Sequence, residues 1–264
     1  MNVPDESWRI STVNEKYEIC DTYPNILCVP KGMSDDKLSK ASKFRSKGRL
    51  PSFTWRHPVT KATMCRCAQP MVGLTNHRSS EDEDYLEIIN KHSGLHSGGG
   101  LKKYVIIDAR PKINAQANQA GGKGFENTKF YSNCEIIFMG IGNIHTMRKS
   151  VDDLSNACCE RKYDGSSWLA QLDANQWLYH VHKVLRASIH IAHLMSRRGI
   201  SCLVHCSDGW DRTSQLCALA EIMMDPYYRT IKGFCVLVEK VSGLKVQYDV
   251  ALCEIRGVKK GKAR

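Results

Sequence analysis

Cys202-Leu203-Val204-His205-Cys206-Ser207-Asp208-Gly209-Trp210-Asp211-Arg212-Thr213 reads as a short apolar strand, a tight loop and the start of a helix. The helical pattern continues through Leu216, Leu219, Ala220 and Met223 and stops at Asp225-Pro226. Strand, loop and helix in that order form the unit of an α/β fold, whose ligand sites lie at the carboxyl ends of the strands. Backbone N–H groups of such a loop, together with the positive end of the following helix, favour an anion at one point. Cys206 stands at the strand end, and after five intervening residues comes Arg212, where a guanidinium can grip two phosphate oxygens. The same field lowers the pKa of a thiol, so the stretch is written like a thiol-based phosphotransfer site.

Spacing alone is weak support, because a chain with 12 cysteines yields a Cys-x5-Arg match by chance about once. The bland reading is a buried core cysteine beside a surface arginine. Two features weigh against it: the match occurs once in the chain, and it lies at a strand-to-helix junction. Within the loop, Asp208 and Asp211 add two carboxylates and Gly209 a turn residue. Thr213 or Ser214 can donate a hydrogen bond to the thiolate.

The 264 residues suffice for a sizeable core, and 42% apolar with 25% charged residues is a globular composition. No apolar run approaches the roughly 20 residues of a membrane span, and the first 30 residues carry no basic-then-apolar leader. The expected location is therefore the cytoplasm. Many cysteines, such as Cys134, Cys202, Cys217 and Cys235, lie in apolar runs and read as small hydrophobes rather than a disulfide scaffold. Neither Cys65-x-Cys67 nor Cys158-Cys159 has zinc-ligand spacing, and no metal or cofactor is expected. The net charge of +11 suits an anionic partner, lipid or phosphorylated substrate. Nucleic acid is disfavoured because the basic residues are dispersed and no binding motif accompanies them.

Along the chain, Tyr17 to Pro30 suggests strands joined by a turn, and Ser34-Asp35-Asp36 starts a short helix. Ser52 to His57 and Ala62 to Cys65 read as a strand pair, and Glu81 to Asp84 begins a helix. That helix stops at the Gly-rich stretch Ser97 to Gly100, which joins Gly121 to Gly124 as a flexible point. Tyr104–Asp108 and Glu135–Met139 are predicted buried strands, with a short helix over Asn114–Gln119 between them. One long helix is predicted from Trp168 to Arg197, with Trp177, Val181, Val184, Leu185, Ser188, Ala192 and Met195 on one face. Its aromatic residues read as core.

Residue for residue, the loop Cys206 to Thr213 resembles the signature loop of the myotubularin phosphoinositide phosphatases, and its Cys-x-Asp-x-x-Asp-Arg-Thr core is also shared with Sac-type lipid phosphatases. Further blocks are similar to that family in order: Leu50 to Pro58, Arg66 to Pro70, Ile107 to Pro111, Gly142 to His145, Ser167 to Leu169 and Tyr227 to Phe234. The resemblance implies an α/β domain of the Cys-x5-Arg, protein-tyrosine-phosphatase-like class, with a central sheet flanked by helices. It implies removal of the 3-phosphate from phosphatidylinositol 3-phosphate and phosphatidylinositol 3,5-bisphosphate. In the mechanism expected from these residues, Cys206 is the nucleophile, Arg212 the clamp and Asp211 the general acid. Asp211 also has a blander reading, as a partner that positions a nearby donor. Ser207, Asp208, Gly209 and Trp210 complete the loop around the substrate, and Asp208 can orient a head-group hydroxyl or a water. The resemblance adds Asn118, Asn143 and Ile144 as head-group contacts, although turn chemistry alone explains asparagines in such places.

The likeness covers residues 1 to 240, where it implies a partial phosphatase domain without the lipid-binding PH-GRAM domain that usually precedes it. Residues 241–264 form a divergent basic tail, so the domain is expected to be incomplete at its C-terminal end. There Tyr248 and Leu252 stand where the family places two further arginines. Partners implied are phosphoinositides at a membrane surface, endosomal by resemblance, and a family-type dimer whose contact regions are missing. Two other classes stay open: a phosphoinositide-binding regulatory product with impaired catalysis, and a protein-tyrosine phosphatase. The latter is disfavoured because no Trp-Pro-Asp tripeptide occurs.

Overall fold

The computed structural model describes residues 3–92, 103–159, 165–242, 247–248 and 253–254. The Gly-rich stretch 97–100 lies outside them. So does the tail beyond Ser242, apart from the two-residue pairings Gln247–Tyr248 and Cys253–Glu254; the side chains of Tyr248 and Leu252 belong to that undescribed part.

Strands β1 (Trp8–Ser11) and β2 (Leu27–Pro30) form an antiparallel ribbon. The expected strand pair within Tyr17–Pro30 is thus corrected: only Leu27–Pro30 is a strand, and its partner lies upstream. The cause is Asn14, fully buried, whose amide donates to the Cys20 and Pro24 carbonyls and accepts from the Cys20 N–H. This one side chain satisfies the backbone that a strand would otherwise pair, and winds the intervening segment into turns.

Helix α1 (Asp35–Lys43) begins at its Ser34 cap, as expected, with Asp35 and Asp36 at the positive helix end. Strands β3 (Ser52–Arg56) and β4 (Thr63–Cys67) pair antiparallel, and α2 (Ser80–Lys91) follows with Ser79 as cap. Then come β5 (Tyr104–Asp108), α3 (Lys112–Gln119), β6 (Cys134–Phe138) and α4 (Ile144–Cys159). Two helices, α5 (Gly165–Ala174) and α6 (Trp177–Ser196), precede β7 (Cys202–His205), α7 (Arg212–Met224) and α8 (Ile231–Ser242).

The single long helix expected from Trp168 is broken at Asn175-Gln176. Asn175 folds its side chain onto the backbone, donating to the Gln171 carbonyl and accepting from the Trp177 N–H. Gln176 takes a left-handed conformation, φ 59°, that no helix interior allows. On α6 the predicted face holds at Val184, Ser188, Ala192 and Met195, whereas Leu185 is turned to solvent. Helices α4 and α8 were not predicted.

The central sheet has the order β3-β4-β7-β5-β6, and β4, β7, β5 and β6 are all parallel. Strand β7 is the middle one and fully buried, as its unbroken apolar run requires. One face packs on α6, α7 and α8, the other on the β1–β2 ribbon with α1 and α2. Parallel order places the carboxyl ends of β4, β7, β5 and β6 at one edge, and the Cys206 loop emerges at its centre.

Candidate active site

The loop after β7 is fastened from outside. Its Ser207 carbonyl accepts from the Gln69 N–H (3.2 Å), that of Asp208 from Arg49 (2.5 Å), that of Gly209 from Arg66 (2.6 Å) and that of Trp210 from the Ser214 hydroxyl (2.6 Å). Four successive carbonyls turned outward leave the N–H groups facing inward. Among the described residues, no oxygen accepts from the N–H groups of Ser207 to Asp211. This is an anion cradle, closed by the N-terminus of α7.

Gly209 is required by this shape. Its φ is +72°, and a Cβ there would fall inside contact distance of the Cys67 carbonyl on β4. The loop is thus pressed against the neighbouring strand.

Cys206 lies at the base, 1% exposed. Burial alone would push its thiol up. The Thr213 hydroxyl and N–H, the Arg212 guanidinium and the Gly209 N–H outweigh burial and hold it below its ordinary value. Of the two expected hydroxyl donors, Ser214 is spent on the Trp210 carbonyl, which leaves the buried Thr213 hydroxyl as the one available to the thiolate. Arg212 is buried, and its Nη1 donates to the Ile141 carbonyl at 3.2 Å, while its Nε has no partner among the described residues. One prong is positioned and the other is free for a ligand.

Asp211 is half-buried at the start of α7, its carboxylate accepting from Gln215 (3.0 Å). The Asp208 carboxylate lies 3.8 Å from Lys47 Nζ. Trp210 stands out into solvent, with Lys47 and Arg49 over its ring. Asn118, from α3, reaches the loop, lying 3.0 Å from Gln69 Oε1 and 3.5 Å from Ser207 Oγ.

A buried charge network lies behind the thiol. His205 Nε2 is 3.1 Å from Glu126 Oε2, and its Nδ1 is 3.2 Å from the Cys206 carbonyl. Glu126 also receives Arg45, which grips Asp82 with two nitrogens; Tyr131 donates to Asp82 as well. Beside it, Arg110 binds Asp108 on β5 bidentately and donates to Gln69 and the Gly124 carbonyl.

A strand-delivered thiol, an inward N–H cradle and a half-free arginine match the order expected of one phosphatase family, and the whole-chain comparison decides it: the myotubularin-like phosphatase domain matches residues 1–242. The chain belongs to that family. Mouse phosphatidylinositol-3,5-bisphosphate 3-phosphatase MTMR2 is 47% identical over 238 residues, covering 90% of this chain and 36% of the relative. The Gallus gallus protein of the same name is 47% identical, with 41% of its length covered. Myotubularin of Xenopus laevis is 44% identical, with 38% covered. The chain therefore spans little more than a third of the length of the relatives it matches.

Within this myotubularin-like domain, the sequence-predicted residues divide. Cys206, Ser207, Asp208, Gly209, Trp210, Asp211 and Arg212 come together with Asn118 around the cradle. Asn143 is spent instead as a cap, its Oδ1 accepting from the Thr146 N–H and hydroxyl. It and the exposed Ile144 lie two and three residues after Ile141, whose carbonyl accepts from Arg212. The fasteners Arg49, Arg66 and Gln69 carry no signal in the loop itself. Arg66 and Gln69 sit in a block that the family resemblance covers, Arg66 to Pro70, whereas Arg49 lies one residue before the block that begins at Leu50.

Proposed function

We propose that this chain is the phosphatase module of a phosphoinositide 3-phosphatase acting on phosphatidylinositol 3-phosphate and phosphatidylinositol 3,5-bisphosphate. The observation that carries the reading is the cradle: four outward carbonyls, inward N–H groups, and a lowered thiol beneath Arg212. The substrate class is taken from the names of the relatives and the two loop carboxylates.

In the first step, the Cys206 thiolate attacks phosphorus and forms a P–S bond while the bond to the inositol oxygen breaks. Asp211 supplies the proton that the departing oxygen takes. Arg212 and the loop N–H groups hold the equatorial oxygens, whose charge grows in the transition state. In the second step, water cleaves the P–S bond, Asp211 accepts its proton, and phosphate leaves with the thiolate restored. Asn118 and Asp208 border the mouth and orient the head group. The working place is the cytoplasmic face of a membrane, endosomal in keeping with the family resemblance, with peripheral attachment.

Release of phosphate from short-chain phosphatidylinositol 3-phosphate tests this. Cys206→Ser is expected to abolish turnover, and Asp211→Asn to lower kcat by about 10²–10⁴. Turnover that survives Cys206→Ser would sink the covalent route, and an unchanged rate in Asp211→Asn would remove it from proton transfer.

A further inference from the structure

The edge of the sheet that carries the cradle also exposes large apolar side chains. One large apolar side chain stands out from the segment following each of the four parallel strands. These are Leu74 after β4 (75% exposed), Trp210 after β7 (62%), Ile113 after β5 (73%) and Ile144 after β6 (50%). The segments touch in series. The Gly73 N–H donates to the Lys123 carbonyl, Asn118 lies against Ser207, and Arg212 donates to the Ile141 carbonyl. The four residues therefore belong to one continuous rim.

The charge on this rim has one sign outside the catalytic loop. Residues 68–78, 111–125 and 139–149 contain no Asp or Glu, yet include Lys112, Lys123 and Arg148. Arg148 lies one helical turn from Ile144, on the same side of α4. Aromatic and aliphatic side chains interleaved with Lys and Arg suit the boundary between head groups and acyl chains of an anionic bilayer.

We propose that this rim is a membrane-docking surface: Leu74, Ile113, Ile144 and Trp210 enter the interface of an anionic bilayer while Lys112 and Arg148 meet its head groups. It rests on the phosphoinositide reading for its purpose, since docking there presents the cradle to head groups without lifting a lipid out. It also gives Ile144 a role that contact with the loop does not. No helix among the described residues is long and apolar enough to cross a membrane.

The test uses vesicles of phosphatidylcholine and phosphatidylserine without any phosphoinositide. The full chain is expected to co-sediment with them. Leu74→Asp/Ile113→Asp should weaken binding by at least about tenfold, and Lys112→Gln/Arg148→Gln by a similar factor that vanishes at high salt. Val59→Asp serves as the control, because Val59 is equally exposed (75%) but sits on the β3–β4 turn at the opposite end of the sheet. On a soluble short-chain substrate, the Leu74 and Ile113 variant should turn over like the parent, whereas on vesicles it should lose about the same tenfold. Unchanged vesicle binding by that variant, loss of binding in Val59→Asp, or no binding by the parent overturns the proposal. Binding retained with no turnover on either substrate would overturn the phosphatase reading and leave the docking surface standing.

Discussion

One residue before the thiol, His205 is fully buried between two acceptors, the Glu126 carboxylate and the Cys206 carbonyl. Burial pulls its pKa down, but Glu126 and Asp108 outweigh burial and leave it raised, so the imidazolium is favoured. Burial likewise pushes Glu126 up, and His205 with Arg45 overrides it, holding the carboxyl far below its ordinary range. The charged groups acting on His205 also include Arg110, which works in the opposite sense. Glu126→Gln leaves two buried cations short of a partner and is expected to cost about 3–5 kcal/mol, read as a lower denaturation midpoint. The pair's contribution has two limits. On the acid side it is complete above 4.5, the ordinary Glu value, and is lost as pH falls toward the depressed one. On the alkaline side it is complete below 6.5, the ordinary His value, and is lost as pH rises through the raised one. The stability difference between parent and Glu126→Gln, measured against pH, should therefore be largest near pH 5–6 and shrink on both sides. A difference independent of pH would show that the pair is not ionic. Nothing near His205 in sequence announces Glu126, because the carboxylate arrives from the segment after α3, and only the folded sheet brings the two together.

At the scale of elements, what was legible depended on whether the signal was local. The strand–loop–helix at Cys202–Thr213 could be read because apolar run, turn and helical spacing follow one another within the stretch. β3, β4, β5 and β6 could be read for the same reason. The breaks were not, since each depends on a side chain that abandons its expected pattern to bind backbone: Asn14 in the first ribbon, Asn175 between α5 and α6. The loop's fasteners were hidden differently. Arg49 and Arg66 act on carbonyls more than 140 residues away in the chain. The α5–α6 break offers a direct check. Gln176 holds a left-handed conformation that costs an L residue about 1–2 kcal/mol and glycine almost nothing. Because Gln176 is exposed, Gln176→Gly is expected to raise stability, by about 0.5–1 kcal/mol after glycine's extra unfolded-state entropy is subtracted. Urea denaturation would report it, and a destabilised variant would mean that the Gln176 side chain, which donates to the Asp173 carbonyl, outweighs the strain.

For the whole molecule, the sheet is the single partition between two apolar layers, and alternate residues of one strand serve opposite sides. On β5, Tyr104 and Ile106 enter the layer under the β1–β2 ribbon, while Val105 and Ile107 enter the layer under α6 and α7. Both isoleucines are fully buried, and β7 next to them divides in the same way, with Leu203 on one side and Val204 on the other. A strand shared in this manner couples the layers, because neither can lose its packing without exposing the back of the other's sheet. Ile106→Ala and Ile107→Ala are therefore expected to cost about 2–5 kcal/mol each. For a domain of this size, that lowers the Tm by about 4–20 °C. The two layers carry their own fluorophores, Trp8 under the ribbon and Trp55 on the helical side, both buried. If the layers melt as one, tryptophan fluorescence and far-ultraviolet circular dichroism give coincident transitions in both variants. A biphasic melt in which Ile106→Ala moves only the first phase would instead make the ribbon layer a separate unit. The cradle would then have to be assigned to the helical layer alone, even though Arg49, which fastens it, also donates to Thr22 in the segment between β1 and β2.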